Sequence, residues 1–115
     1  MIYRVFDALN GKYDYHIEEN ELFVLIEKLF YEDYFYDSFT DWLDEYYKPI
    51  DLPLLGQYNM STLLSKLDPT LCYMIYTEDY LNFMLNDIKY ETEGLKENEA
   101  FYGPNGLVIE LMSGD

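Results

Sequence analysis

The sequence predicts an α+β fold: a small antiparallel sheet from an N-terminal hairpin and C-terminal strands, packed with about four or five helices. Three observations predict it. β-formers crowd both ends of the chain, residues 2–8 and 101–111. Apolar residues between them recur at helical rather than strand spacing. Half of the 115 residues are apolar and 19% are aromatic, enough to bury a core in one domain, 1–115.

The first strand is Ile2-Tyr3-Arg4-Val5-Phe6-Asp7-Ala8, and Tyr13 to Ile17 is again strand-like. Asn10-Gly11 between them is a strong hairpin signal, because both residues tolerate the positive φ that tight β-turns need. From Asn20 the period changes. Leu22, Leu25, Ile26, Leu29 and Phe30 fall on one face of an amphipathic helix. A second helix is expected over 32–46, with Phe35, Phe39, Trp42, Leu43 and Tyr46 as its apolar face. Pro49 and Pro53 end it, and Lys48–Gln57 reads as a loop.

Ser61 to Leu67 reads as a short helix. Asp68-Pro69 reads as an N-cap followed by proline in the first turn, opening a helix over Leu71, Met74 and Ile75. Thr77 is expected to cap a longer helix buried through Leu81, Met84, Leu85 and Ile88, with Gly94 as its stop. Phe101-Tyr102, Gly103-Pro104-Asn105-Gly106 and Leu107 to Leu111 close the chain as a hairpin or terminal strand.

The charge is the outstanding property: 23 acids against seven bases, a formal net of -16. Such an excess opposes compaction by self-repulsion, yet it attracts basic partners and speeds their arrival. It argues against direct binding to nucleic acid or to an anionic membrane surface. Between Glu18 and Asp51, eleven acids face only Lys28 and Lys48. Within that stretch Asp33, Asp37, Asp41 and Glu45 stand four residues apart, with Glu32 and Asp44 adjacent. On one helix they would form an unbroken stripe rising about 6 Å per step, similar to the phosphate spacing of a nucleic-acid strand. Like charges at this spacing weaken a helix by roughly 0.2–0.5 kcal/mol per pair. Tyr34 and Tyr36 lie among the acids and offer contact area at low entropic cost. The expected partner-binding set is therefore Glu32, Asp33, Asp37, Asp41, Asp44, Glu45, Tyr34 and Tyr36. A solvated helix face is the competing reading. Glu91, Glu93, Glu97 and Glu99 form a second acidic patch that either extends this surface or is a solvated loop.

Catalytic, cofactor and metal motifs are not expected. The six glycines are dispersed and build no phosphate loop. His16 is the sole histidine and Cys72 the sole cysteine, too few for a usual zinc site. Cys72 falls in an apolar run and reads as a buried thiol, and His16 as a half-exposed strand residue. No EF-hand loop is present. A pair of carboxylates at glycosidase distance carries no specificity among 23 acids. Met1 is followed by a strand rather than a signal peptide, and no apolar run reaches the length of a membrane span, so the cytosol is the expected compartment.

Several stretches resemble the ArdA-type antirestriction proteins: Asn10-Gly11-Lys12-Tyr13, then Leu52-Pro53 with Tyr58, Ser61, Leu64 and Leu67, then Asp87, Phe101, Asn105-Gly106 and Glu110. They touch about a third of the chain. The chain is shorter than that family's usual three-part layout. The resemblance implies a mimic of bent duplex DNA that occupies the DNA groove of type I restriction-modification enzymes, a homodimer, and no catalytic residues.

The functional expectation is a non-enzymatic acidic inhibitor, with no cofactor, that occupies the nucleic-acid cleft of a basic enzyme. Its target would be a restriction enzyme, a CRISPR effector, a repair enzyme or a nuclease, in a phage or mobile-element anti-defence role. The alternatives are an immunity protein against a basic nuclease toxin, a generic acidic interaction domain, or an enzyme using carboxylates in a pocket with a raised pKa.

Overall fold

Alternation along the first strand sets the sheet. In the computed structural model, which describes residues 1–112, β1 (Ile2–Asp7) buries Tyr3, Val5 and Asp7 and turns Arg4 outward. It pairs antiparallel with β2 (Asp14–Glu18) on one side and β6 (Leu107–Leu111) on the other. β5 (Ala100–Tyr102) completes the order β2-β1-β6-β5. Register places Tyr15, Val5, Ile109 and Phe101 in one row across the inner face, and Ile17, Tyr3 and Leu111 in the next. On the outer face Arg4 lies opposite His16 and Glu110.

The predicted hairpin forms, but Asn10-Gly11 is not a two-residue turn. Residues 8–13 form a longer loop wound around one carboxylate. The backbone N–H groups of Leu9, Asn10 and Lys12 donate to Asp7 at 2.9, 3.1 and 3.3 Å. Burial pushes the Asp7 carboxyl up, but the three N–H donors and the Lys12 charge outweigh that and hold it below its ordinary value. Gly11 (φ +64°) supplies the left-handed step.

α1 (Leu22–Tyr31) buries the five residues its period predicts. It stops at Glu32, and the next helix, α2, spans Tyr36–Tyr46. A single helix over 32–46 is thus corrected. The break is a Schellman ending. Asp33 takes φ +64°, its N–H donates to Phe30 O at 3.0 Å, and the Tyr34 N–H reaches Leu29 O at 3.4 Å.

The expected loop 48–57 is instead an antiparallel hairpin of β3 (Ile50–Leu52) and β4 (Gly56–Tyr58). Gly56 (φ +90°) and Leu54 (φ +70°) turn it. α3 (Met60–Leu67) follows. Asp68 then caps α4 (Pro69–Met74), accepting from the Leu71 N–H at 3.0 Å. Thr77 caps nothing. A π-helical segment, Ile75–Tyr80, carries α4 into α5 (Leu81–Glu93) without leaving helical backbone, and the Thr77 hydroxyl donates to Tyr73 O at 3.0 Å. Gly94 does end α5, with ordinary helical φ/ψ.

The core lies between the inner sheet face and the helices. Phe30, Phe35, Phe39, Tyr76 and Tyr80 cluster at the junction of α1, α2 and the π segment. Phe30 and Tyr76 stack at 4.2 Å, and the Tyr76 hydroxyl donates to Phe30 O at 2.8 Å inside that cluster. Cys72 is buried and His16 exposed. No helix among the described residues is long and apolar enough to cross a membrane.

Candidate partner-binding site

α2 is held by apolar burial and by a cap from a distant turn. Its own N-terminal residue, Phe35, offers no side-chain cap. Asn105, in the β5–β6 connection (φ +53°), accepts from the Ser38 N–H at 3.0 Å instead. The Ser38 hydroxyl donates to Phe35 O at 2.8 Å and lies 2.7 Å from the Tyr80 hydroxyl. Burial raises the Tyr80 phenol, the Ser38 bond opposes that, and the nearby Asp41 charge adds to the rise. Phe39 and Leu43 are fully buried beneath the helix. Each contributes about 1.5–3 kcal/mol, more than carboxylate repulsion along the opposite face removes.

The eight expected site residues divide into three sets. Asp37, Asp41 and Glu45 stay together: all are exposed and stand at four-residue spacing on α2. Among the described residues the ion pair within 4 Å is Arg4 with Asp14, so none of the three is in an ion pair with a described cation. Asp37 suits the positive end of the helix dipole, whereas Glu45, in a last turn without a basic residue, opposes its negative end.

Glu32 and Asp33 are exposed but sit on the turn before α2, so the four-membered stripe is shortened by one. Asp33, Tyr34 and Asp37 line a hollow of ≈ 240 Å³ together with Asp7, Lys12 and Asn105. Tyr34 is half-buried there, its ring edge-on to Tyr13 at 5.0 Å.

Asp44 is diverted. Its carboxylate accepts from the Ser61 N–H and hydroxyl, both at 2.8 Å, and so caps α3 from outside. Tyr36 lies against Phe39 and Tyr76 at 5.6 and 5.3 Å, and burial first, then Cys72 and Asp33, raises its phenol. Asp44 thus supports the fold rather than offering a free group, whereas Tyr36 keeps an exposed edge beside its contacts with the core.

Tyr46 departs from the expected buried face, being 71% exposed. It stacks on Trp42 at 5.8 Å, and Trp42 meets Phe83 of α5 at 5.9 Å. Trp42 and Tyr46 share α2 with the three exposed carboxylates. The signal was the pair Trp42 and Tyr46, one turn apart and offset by one residue from Asp41 and Glu45; Phe83 left none. Of the Glu91–Glu99 patch, Glu91, Glu93 and Glu99 line another hollow with Tyr90, Gly94 and Leu95. No group of three metal-ligating side chains converges among the described residues.

No protein family, curated protein or solved structure matches the chain.

Proposed function

We propose that the protein is a non-enzymatic inhibitor that presents α2 as a substitute phosphate strand to the nucleic-acid cleft of a basic enzyme. One observation carries this reading: Asp37, Asp41 and Glu45 are exposed, spaced by one turn, and unpaired with any cation of the described chain. Arginines and lysines of the cleft find there the charge-assisted acceptors that phosphates supply. The formal net charge of -16 steers the approach. The ArdA-like stretches point to the same class, with a type I restriction enzyme as the first target to try.

The test is competition against duplex DNA for a purified type I restriction enzyme, a CRISPR effector, a repair enzyme and a nuclease. The protein displaces DNA from at least one of them, with affinity that falls steeply as salt rises. The double reversal D37K/D41K weakens that inhibition on the order of 100-fold while the far-UV circular dichroism stays unchanged. Undiminished inhibition by the folded double variant rules the mechanism out.

A further inference from the structure

The aromatic rings beside the carboxylates say which cation the partner brings. We propose that the strip of Trp42, Tyr46 and Phe83, flanked by Asp41 and Glu45, receives guanidinium groups, so that the partner's contact surface is arginine-rich rather than merely basic. This rests on the inhibitor reading above and sharpens it.

The geometry is that of a two-sided acceptor. Trp42 and Tyr46 stand one turn apart on α2 with ring planes 27° apart, and Phe83 continues the strip from α5 at 34° to Trp42. Tyr46 is 71% exposed and Phe83 52%. Asp41 and Glu45 stand one residue earlier, about 100° round the helix from Trp42 and Tyr46, while Glu45, three residues after Trp42, shares a helix face with that ring. Tyr80 lies under Trp42 at 5.2 Å and supports the strip from the core side.

A guanidinium is planar and weakly hydrated. It can lay its face on a ring while its edge donates two parallel hydrogen bonds to a carboxylate. An ammonium is a strongly hydrated point charge and gains less from the ring.

The chain contains this arrangement once, satisfied from within. Arg4, its sole arginine, lies 4.1 Å over the Phe6 ring and donates to both carboxylate oxygens of Asp14, at 3.1 and 2.9 Å. The strip repeats the ring and the carboxylate and lacks the arginine. Charge disfavours a second copy as occupant, because it would bring its own net -16 to the same face.

Trp42 is the only tryptophan, so its emission reports directly on the strip. The full chain is titrated with synthetic octaarginine and octalysine at matched ionic strength, following Trp42 emission and calorimetric affinity. Octaarginine perturbs the emission and binds about fivefold or more tighter than octalysine. Phe83→Leu, which keeps the apolar volume and removes the ring, lowers that ratio towards one while salt sensitivity persists.

Equal, salt-sensitive affinity for the two peptides overturns the arginine preference and leaves the polyanion reading standing. Affinity for neither peptide sinks both. Emission that changes with protein concentration alone, before any peptide is added, shows a second copy on the strip and likewise overturns the proposal.

Discussion

Asp7 and Asp41 are both aspartates, and the molecule uses them in opposite ways. Asp7, on the sheet side, is nearly sealed from water and receives three backbone N–H donors. It organises the 8–13 loop and belongs to the fold. Asp41, with Asp37 and Glu45 on α2, faces solvent without an ion pair and makes its helix less stable. The contrast separates carboxylates that the chain consumes from those it leaves available. Counting acids in the sequence cannot make that separation, because both kinds carry the same formal charge.

The largest expected effect on stability tests the consumed class. Asp7→Asn keeps one acceptor but turns a donor towards backbone N–H groups, and should cost about 1–3 kcal/mol in urea unfolding at neutral pH. The folded carboxyl sits below its ordinary value. Its contribution is therefore complete above the unfolded value of about 3.9 and is lost as pH falls through the folded one. The gap between parent and variant should accordingly close when melts are repeated in strong acid. A gap that stays constant down to acid would show that Asp7 acts through shape rather than charge.

Asp44 lies between the two classes: it is on the acidic helix but is committed to Ser61. Asp44→Ala should cost about 1 kcal/mol, the usual worth of a helix cap. It should alter inhibition far less than D37K/D41K does. Equal damage to inhibition would return Asp44 to the binding face. The smallest effect has the opposite sign. Glu45→Gln removes one like-charge pair and one unfavourable dipole contact, and should raise stability by about 0.5 kcal/mol. A melt showing loss instead would place Glu45 among the consumed acids.

The sheet and α1 were legible in the sequence because their signals are local. Period-two alternation in β1 and the spacing of Leu22, Leu25, Ile26, Leu29 and Phe30 each mark a buried face without reference to distant residues. The break at 32–35 was not legible. An aspartate adopting left-handed backbone at a helix end leaves no mark on the hydrophobic period, so the acids read as one stripe. The continuous helix through Thr77 was missed for a related reason: threonine is as able to bond back to a carbonyl one turn earlier as to cap. The β3–β4 hairpin has three residues per strand, with Pro49 just before it and Pro53 in its turn, too short a run for alternation to register. Within the candidate site, the order of Asp37, Asp41 and Glu45 was readable from spacing alone. The diversion of Asp44 was not, since its partner lies 17 residues on. The exposure of Tyr46 was hidden too, because an aromatic at helical spacing carries the same letter whether it fills a core or borders a surface.

Asn105 gives the acidic helix a dependence on time as well as on place. The residue that accepts from the Ser38 N–H at the start of α2 is separated from it by 67 positions. It is also synthesised much later, since chains emerge at about 5–20 residues per second. During translation the carboxylates of α2 leave the ribosome seconds before their fastening exists. Until the closing strands pair with β1, the Ser38 N–H lacks that acceptor. That bond therefore joins the finished helix to the closing of the sheet: it forms only when both ends of the polypeptide have met.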